Sequence, residues 1–274
     1  MRYLAAIALF IAGSSAKAQP ANDPIDTTTF IFSKNHFNFL FVIGAISKAG
    51  VNGTANNYAI GSSPQKFFEL GIERSISFNK KLSLITGAHV IAAIRNFEYS
   101  IPGTEFSPPV DGDLVNNGAV SKDVSFLVSV PVSIEYRWFQ DKRSFFSAQA
   151  GFSLMHSFFT EDFATHYITL SNGQTIKFMD MQLYPNNDSR LWLNYHAGFG
   201  YGRILKNLDI FSIRLIANLS FTKFTRGPYY FDIPNKPLIE GEYSEKGTYI
   251  GLSGNYTFTG ARKKLKLLGA KKSN

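Results

Sequence analysis

The chain has 274 residues, of which 45% are apolar and 15% aromatic, and it contains no cysteine. This apolar content excludes an intrinsically disordered chain, and the absence of cysteine excludes disulfide scaffolds, cysteine-ligated zinc sites and thiol nucleophiles. The formal net charge of +8 comes from basic residues near the two ends of the chain. It therefore does not indicate nucleic-acid binding, which needs basic residues spread over a folded face.

The N-terminal residues have the pattern of a secretory signal peptide. Arg2 precedes an apolar stretch from Leu4 to Gly13, and Ala16-Lys17-Ala18 places small residues where a signal peptidase cleaves. A membrane helix needs roughly 20 apolar residues, and this stretch has about half of them. The sequence therefore predicts a signal peptide at residues 1–18 that is cleaved after Ala18, and an exported protein.

The rest of the chain shows strand periodicity. Apolar and polar residues alternate in eight segments that are separated by turn residues. The alternation is clearest in the fourth segment, where Val124, Phe126 and Val128 alternate with polar side chains. The eight predicted strands are His36–Ala45, Lys66–Phe78, Lys81–Tyr99, Asp123–Phe139, Ser144–Phe159, Leu191–Leu205, Leu208–Thr225 and Gly247–Thr259.

The connections between these strands alternate between tight turns and long loops. The tight turns are at Asn79-Lys80, Gln140–Arg143 and Lys206-Asn207, and the long loops cover residues 46–65, 100–122, 160–190 and 226–246. In an antiparallel barrel this order places all tight turns at one end and all long loops at the other, as in outer-membrane barrels. The sequence therefore predicts an all-β, eight-stranded antiparallel up-and-down transmembrane β-barrel.

Alternation alone does not say which face points outwards. A soluble barrel of the lipocalin kind has eight strands with its apolar side chains inside. Here the apolar faces are long, their ends are rich in Tyr, Phe and Trp, and the opposite faces carry charges that a dry lumen would not accept. These three features favour a membrane barrel with apolar residues outside.

Two segments carry a resemblance to a known family. The sequences of residues 71–78 (GIERSISF) and 130–137 (VPVSIEYR), with the signal peptide and the strand order, resemble the small outer-membrane β-barrels of Bacteroidota, which include PorT-like proteins and are similar in architecture to OmpX and the OmpA barrel. The resemblance implies a barrel at residues 19–260 with four extracellular loops. It also implies an integral protein of the outer membrane and, through the PorT-like members, a supporting role in protein secretion.

The predicted lumen is polar. By strand alternation, we expect His156, Gln149, Asn194 and Asn218 to point inwards together with the main charged residues of the strands. Eight strands leave a lumen that side chains can fill, so internal ion pairs that hold the barrel together are one interpretation, and a narrow gated channel for small solutes is the other. The predicted polar network of the lumen is Glu69, Glu73, His89, Arg95, Glu135, Arg137, His196 and Arg214.

No catalytic site is predicted. His156-Ser157 is the one adjacent histidine–serine pair, but neighbouring residues of a strand point to opposite faces and cannot act together. Gly198, Gly200 and Gly202 alternate along a strand, so they do not form a phosphate-binding loop, which needs a turn into a helix. They either leave room for arginine or aromatic side chains from facing strands or mark a bend in the barrel wall. The sequence therefore indicates no enzyme, no cofactor and no metal site.

The loops and the C-terminal tail are the predicted interaction surfaces. Residues 165–183 alternate around Asn172-Gly173, which predicts a hairpin with a two-residue turn. Tyr229, Tyr230 and Phe231 either pack against this hairpin or form an exposed contact patch. Residues 261–274 form a basic periplasmic tail, which is either a solvated terminus or a contact with anionic lipid or a partner. Its main basic residues are Arg262, Lys263, Lys264 and Lys266.

These expectations combine into one functional hypothesis. The protein is an outer-membrane barrel that acts as a structural or interaction module through its extracellular loops and periplasmic tail. Its expected partners are outer-membrane lipid, lipopolysaccharide and a secretion or envelope protein.

Overall fold

The computed structural model of the chain describes residues 27–32, 35–53, 58–158, 161–185 and 190–261. Strands dominate it, as the period-2 alternation predicts. The elements are α1 Thr27–Phe32, β1 His36–Ile46, β2 Gly50–Gly53, β3 Ala59–Gly61, β4 Gln65–Ser77, β5 Leu82–Ile101, β6 Leu114–Phe139, β7 Ser144–Ser157, β8 Asp162–Thr169, β9 Thr175–Pro185, β10 Leu191–Ile204, β11 Ile210–Ser220, β12 Lys223–Phe231, β13 Ile239–Lys246 and β14 Tyr249–Phe258, with a short 3-10 helix at Gly103–Glu105.

Eight of the strands close into an antiparallel barrel in the order β1, β4, β5, β6, β7, β10, β11 and β14. The last strand pairs with the first, with Phe39 opposite Tyr256, and β1 pairs on its other side with β4, with Phe39 opposite Ile72. These eight strands correspond to the eight predicted segments. The predicted fold class, an eight-stranded antiparallel barrel, is confirmed.

The structure also fixes which face of each strand points outwards. Along β1, Phe37, Phe39, Phe41 and Ile43 are exposed, whereas the alternate residues are buried. The three shortest barrel strands have 10 or 11 residues, which matches the roughly 9–11 residues of a tilted strand that spans a membrane. An apolar exterior around a polar interior is the architecture of an outer-membrane β-barrel and the reverse of a lipocalin.

Aromatic rings cluster on the exterior near the end of the barrel that carries the tight turns, which is the periplasmic end in outer-membrane barrels. Tyr136 and Trp138 contact each other edge to face at 4.9 Å, and Phe146 lies within 6.0 Å of Phe199 and 5.6 Å of Tyr201. Such rings mark the level of the lipid headgroups. The cluster therefore places one membrane boundary at this rim.

At the opposite end of the barrel, most residues of the long loops form β-strands. β5 and β6 continue beyond the barrel wall as a long hairpin, and β2, β13, β12, β9 and β8 form a separate five-stranded antiparallel sheet in that order. Buried apolar residues of both parts, among them Phe97, Tyr99, Met181 and Phe231, form one core between them. We call this assembly the cap. The loop segments fold because they carry enough apolar residues to bury a core of their own.

The mouth of the barrel at the end with the tight turns is closed by α1. Ile31 and Phe32 are fully buried and pack against Phe145, Ile204 and Ile210 at the ends of the barrel strands. The short helix is held by a hydrogen bond from Thr28 Oγ1 to the Lys142 carbonyl at 3.1 Å, and by His36 Nε2, which lies 2.6 Å from the Ile31 carbonyl oxygen. No helix within the described ranges is long and apolar enough to cross a membrane.

Candidate functional site

The lumen is filled by three polar layers, and the first lies directly above α1. Arg137 donates to Glu135 through Nη2 and to Ser83 Oγ through Nη1 at 2.9 Å. Arg214 donates to Glu135 Oε1 at 2.9 Å and to Gln149 Oε1 at 2.7 Å. One carboxylate therefore serves two buried guanidinium groups, which lowers the cost of burying their charges.

Phe32 of α1 joins this first layer from below. The guanidinium carbon of Arg137 lies 4.6 Å from the centroid of the Phe32 ring, and Phe32 contacts Phe139 and Phe145 edge to face at 5.3 and 5.4 Å. A cation over an aromatic face is attracted by the ring quadrupole. Helix α1, which plugs the mouth, and the charged layer are thus one packed unit.

The second layer lies at the middle of the lumen and is built around His89. Nδ1 of His89 lies 2.6 Å from Glu69 Oε1, and Nε2 lies 3.5 Å from Glu73 Oε1. Tyr249 donates to Glu69 Oε2 at 3.0 Å, and Asn255 donates to Glu73 Oε2 at 2.9 Å. An imidazole between two carboxylates satisfies charges that the membrane interior would otherwise penalise.

A cavity of about 40 Å³ lies beside His89, with room for about three water molecules. It is lined by parts of the first two layers and by His196, whose Nδ1 lies 3.2 Å from Ser153 Oγ. Three buried polar atoms of residues that line it have no hydrogen-bond partner among the described protein groups: His196 Nε2, Arg214 Nε and Asn218 Oδ1.

Apolar side chains close the lumen above this cavity. Val42, Phe67, Ile91, Leu127, Met155 and Trp192 point inwards and are buried in one cluster. Trp192 stacks on Phe224 at 5.3 Å, and Phe67 packs on Tyr249 at 4.5 Å. An ion or polar solute would have to lose hydration to pass between these apolar side chains.

The third polar layer lies between the barrel and the cap, and Arg95 is its centre. Arg95 donates to Glu245 Oε2 and to Asp162 Oδ2, each at 3.1 Å. Glu245 also accepts from Gln65 at 2.5 Å and from Tyr243 at 2.6 Å. Because Asp162 and Glu245 belong to loop segments without a predicted place in space, the sequence could not pair them with Arg95.

The eight predicted lumen residues all point inwards, but they lie in separate layers, the third of which is between the barrel and the cap. Arg95 is in the third layer, Glu135, Arg137 and Arg214 are in the first, and the remaining four lie around the central cavity. The expected inward orientation of His156 is wrong. β7 alternates without a bulge, so Met155 and Ser157 point inwards and are buried, while the His156 ring contacts exterior Phe158 at 4.8 Å.

The structure brings together a different serine and histidine, Ser153 and His196. They resemble the nucleophile and base of a hydrolase in residue type. Their cavity is buried and too small for a substrate larger than a few atoms. No group of three or more His, Asp or Glu residues in the described ranges is arranged to hold a metal ion.

The glycines of β10 make room for other side chains, as the sequence indicates. A Cβ atom at Gly200 would lie 2.4 Å from Arg214 Cγ, and one at Gly202 would lie 2.2 Å from the Phe145 ring. Both distances are too short for real atoms. Gly200 thus leaves room for the luminal arginine, and Gly202 leaves room for the Phe145 ring that packs against α1.

The interpretation of Tyr229, Tyr230 and Phe231 as an exposed contact patch is wrong for two of the three residues. Tyr229 and Phe231 are 1% and 0% exposed and lie in the core of the cap, and only Tyr230 on the opposite face is partly exposed. These rings pack against the hairpin of β8 and β9, the other interpretation of the sequence. They are buried because β12 is a central strand of the sheet with one face on the core.

The hairpin of β8 and β9 forms where the sequence predicts it, with a different turn. Leu170 N–H donates to the Gln174 carbonyl at 2.8 Å, and Gly173 N–H donates to the Leu170 carbonyl at 2.9 Å. The turn therefore has three residues rather than two, and Gly173 has a φ of +82°, as the third residue of such turns requires.

Outside the membrane, polar contacts of Glu105 and of Tyr99 tie the cap together. Glu105 accepts from Lys236 Nζ at 2.7 Å and from Tyr58 at 3.0 Å, and these hydrogen bonds hold the pKa of Glu105 below its usual value. The Tyr99 hydroxyl lies 2.5 Å from His166 Nδ1. Burial lowers the pKa of His166 and raises that of Tyr99 to about 12.

Two predicted segments cannot be placed. The signal peptide at residues 1–18 lies outside the described residues, and so do Arg262, Lys263, Lys264 and Lys266 of the basic tail.

No protein-family model and no curated protein matches the chain. Among solved structures, the outer membrane protein OprG from Pseudomonas aeruginosa is similar over 82% of this chain and 94% of its own, with 10% identity and a TM-score of 0.41. The β domain of the Bordetella autotransporter BrkA is similar over 82% and 99%, with 11% identity and a TM-score of 0.29. The toluene transporter TodX of P. putida is similar over 85% and 92%, with 8% identity and a TM-score of 0.32.

These similarities are too low to transfer a function. The fold assignment rests instead on the strand pairing and the apolar exterior of this chain.

Proposed function

We propose that this chain is an integral outer-membrane barrel that does not conduct and that presents its cap outside the cell as a binding module for another protein. The observation that carries the proposal is the closure of the lumen in successive layers, from α1 through the charged layers and the apolar layer to the cap. A barrel filled in this way has its working surfaces at its ends.

The cap supports an interaction role because it is folded rather than loose. It has its own core of buried aromatic and aliphatic residues, and the Arg95 layer fixes it to the barrel. Its outer face carries an open cleft lined by Tyr184, Arg226, Pro228 and Glu242. Aromatic and arginine side chains of this kind are enriched where proteins bind one another.

The PorT-like resemblance supports a finer version of this proposal, in which the partner belongs to a protein-secretion system. The basic tail at residues 261–274 would then dock a partner or anionic lipid on the periplasmic side. The exterior would contact outer-membrane lipid and lipopolysaccharide. The small closed cavity at Ser153 and His196 supports a role without catalysis.

Conductance tests the closed lumen. Folded protein, recognised by its compact heat-modifiable band on an SDS gel, is inserted into a planar bilayer, and we expect no stable conductance steps. Phe32→Ala is expected to be equally silent, because the apolar layer still closes the lumen. Stable steps in the wild type that change with Arg214→Glu would overturn the proposal and favour the alternative, a narrow gated channel.

Partner capture tests the interaction role. We expect that replacing residues 161–185 by a short turn abolishes co-purification of a partner after cross-linking in native membranes, while the barrel stays folded. Removal of residues 262–274 tests the tail separately. Unchanged co-purification in both variants would contradict an interaction role for these surfaces.

A further inference from the structure

The five-stranded sheet of the cap has two edges, and they differ. One edge is β2, which has four residues, two of them glycine. The other edge is β8, which has eight residues and pairs only with β9 among the described strands. An unpaired edge presents a row of backbone donors and acceptors that another strand can complete.

β8 lacks the features that usually protect an edge from pairing. Its sequence, DFATHYIT, contains no proline and no lysine. The ladder with β9 has one irregularity, but the additional residue is Phe178 of β9, which lies between the partners of His166 and Tyr167. β8 itself therefore runs without an inserted residue.

The hydrogen bonds of the turn show which amides of β8 point to the free edge. Leu170 N–H donates to Gln174 across the hairpin. In an antiparallel ladder, residues alternate between bonding to the partner strand and pointing away from it. The backbone groups of Thr169 and Tyr167 consequently point away from β9.

β8 is also held in place and flanked by exposed rings. Asp162 is paired with Arg95, His166 contacts Tyr99, and Thr165 donates to Asp180 Oδ1 at 2.9 Å. On the outer face of the same strand, Phe163 and Tyr167 are 56% and 65% exposed. A strand that is already ordered loses little entropy on binding, and exposed rings favour apolar or aromatic cross-strand neighbours.

We propose that the free edge of β8 binds an extended segment of a partner protein as a sixth strand of the cap sheet. Backbone hydrogen bonds to Tyr167 and Thr169 would supply the affinity, and apolar or aromatic side chains at alternate positions of the partner, packed on Phe163 and Tyr167, would supply the specificity. This inference rests on the proposed interaction role of the cap and names the chemistry of its partner.

The test uses the full chain in lipid nanodiscs and a fluorescent peptide that alternates threonine and tyrosine, with terminal lysines for solubility. The matched control peptide has the same sequence with alternate backbone nitrogens methylated. We expect the first peptide to bind and the methylated peptide not to bind. We also expect binding to slow hydrogen exchange of amides within residues 161–170 and not in β2.

Two substitutions of Tyr167 distinguish what its backbone N–H contributes to peptide binding from what its side chain contributes. Tyr167→Pro removes the backbone N–H that points to the free edge, and it leaves the hydrogen bonds to β9 in place. Because edge strands accept proline, the cap should stay folded. We therefore expect the affinity for the unmethylated peptide to fall at least about tenfold. Tyr167→Val keeps the donor and should change binding about threefold at most. Thr169→Pro provides a second removal of a free-edge donor.

Equal binding of the methylated peptide, no binding to the wild type, or protection from exchange outside β8 would each overturn the edge proposal. Failure of this proposal can be told from failure of the interaction role. If removal of residues 161–185 abolishes partner co-purification but Tyr167→Pro does not weaken it, the cap is the binding module and the partner uses another of its surfaces.

Discussion

Glu135 shows how single residues make a charged lumen possible in a membrane barrel. It accepts from both Arg137 and Arg214, and Gln149 accepts a further hydrogen bond from Arg214. A buried charge is tolerated when it is paired, and it is costly when its partner is removed. The stability of the barrel should therefore depend strongly on this one carboxylate.

Replacement of Glu135 by glutamine tests that dependence. We expect Glu135→Gln to lower the free energy of unfolding by about 3–5 kcal/mol, because two buried guanidinium groups lose their counter-charge. Urea titration of the heat-modifiable band measures this change. The double variant Glu135→Gln/Arg214→Met should be less destabilised than the single variant, and an equal or larger loss would contradict the pairing argument.

The position of the His89 ring depends on a glycine in the neighbouring strand. A Cβ atom at Gly71 would lie 2.2 Å from His89 Cδ2, whereas one at Gly61 would have no atom within 4 Å. We expect Gly71→Ala to destabilise the barrel by about 1–3 kcal/mol through overpacking. Gly61→Ala is the matched control and should leave the unfolding midpoint unchanged. Equal effects of the two substitutions would exclude steric crowding at His89 as the cause.

At the level of elements, α1 acts as a plug because its apolar side chains are buried under the barrel. Phe32→Ala removes the ring that packs on Phe139, Phe145 and Arg137. Such a truncation costs about 3 kcal/mol, which shifts the equilibrium between docked and undocked α1 by about a hundredfold.

Cysteine labelling measures the undocking. The chain contains no cysteine, and Ser212 lines a small cavity next to Phe32, so Ser212→Cys provides a single luminal thiol. We expect labelling by a polar maleimide from the periplasmic side to accelerate with Phe32→Ala. The lipid-facing substitution Phe37→Ala should have no effect, and equal labelling of all three proteins would refute the role of α1 as a plug.

The contact between β8 and β5 should depend on pH. Burial lowers the pKa of His166 below its ordinary 6.5, so the folded cap binds this proton less readily than the unfolded segment. The stability that the neutral ring contributes is complete above pH 6.5 and is lost as the pH falls through the lowered pKa. Glu105 keeps its charge over this range, because Lys236 and Tyr58 hold its pKa below its usual 4.5.

Hydrogen exchange checks this prediction. Between about pH 7.5 and about pH 5, after correction for intrinsic rates, we expect the amides of β8 and β9 to lose protection in the wild type. His166→Gln keeps an acceptor for Tyr99 and cannot titrate in this range, so its protection should stay constant. A wild type without pH dependence would contradict the argument.

At the scale of the whole molecule, the barrel and the cap can unfold separately. β7 and β10 are the barrel strands before and after the β8–β9 hairpin, and they pair with each other directly. The core of the cap, in contrast, includes four residues of this hairpin: Phe178, Met179, Met181 and Leu183. Replacement of residues 161–185 by a short turn should therefore leave the barrel heat-modifiable. The same replacement should make β12 and β13 sensitive to protease, and loss of the folded band would show that the cores are coupled.

The sequence by itself determined the barrel. Alternation of apolar and polar residues is a local property, because successive side chains of a strand point to opposite faces. It therefore located all eight strands, their tight turns and the inward charges such as Glu135 and Arg214. The same pattern excludes the orientation expected for His156, because Gln149 and His156 are seven residues apart on β7 and strict alternation places them on opposite faces.

Only the tertiary structure decided what fills and covers the barrel. The burial of Phe32 under the mouth, the pairing of Arg95 with Asp162 and Glu245, and the burial of Tyr229 and Phe231 in the cap join residues that are far apart in the chain. Their alternation or charge is visible in the sequence, but their partners are not. Such contacts are chosen by which distant surfaces meet when the chain buries its apolar area, so they become visible only when the whole chain is folded.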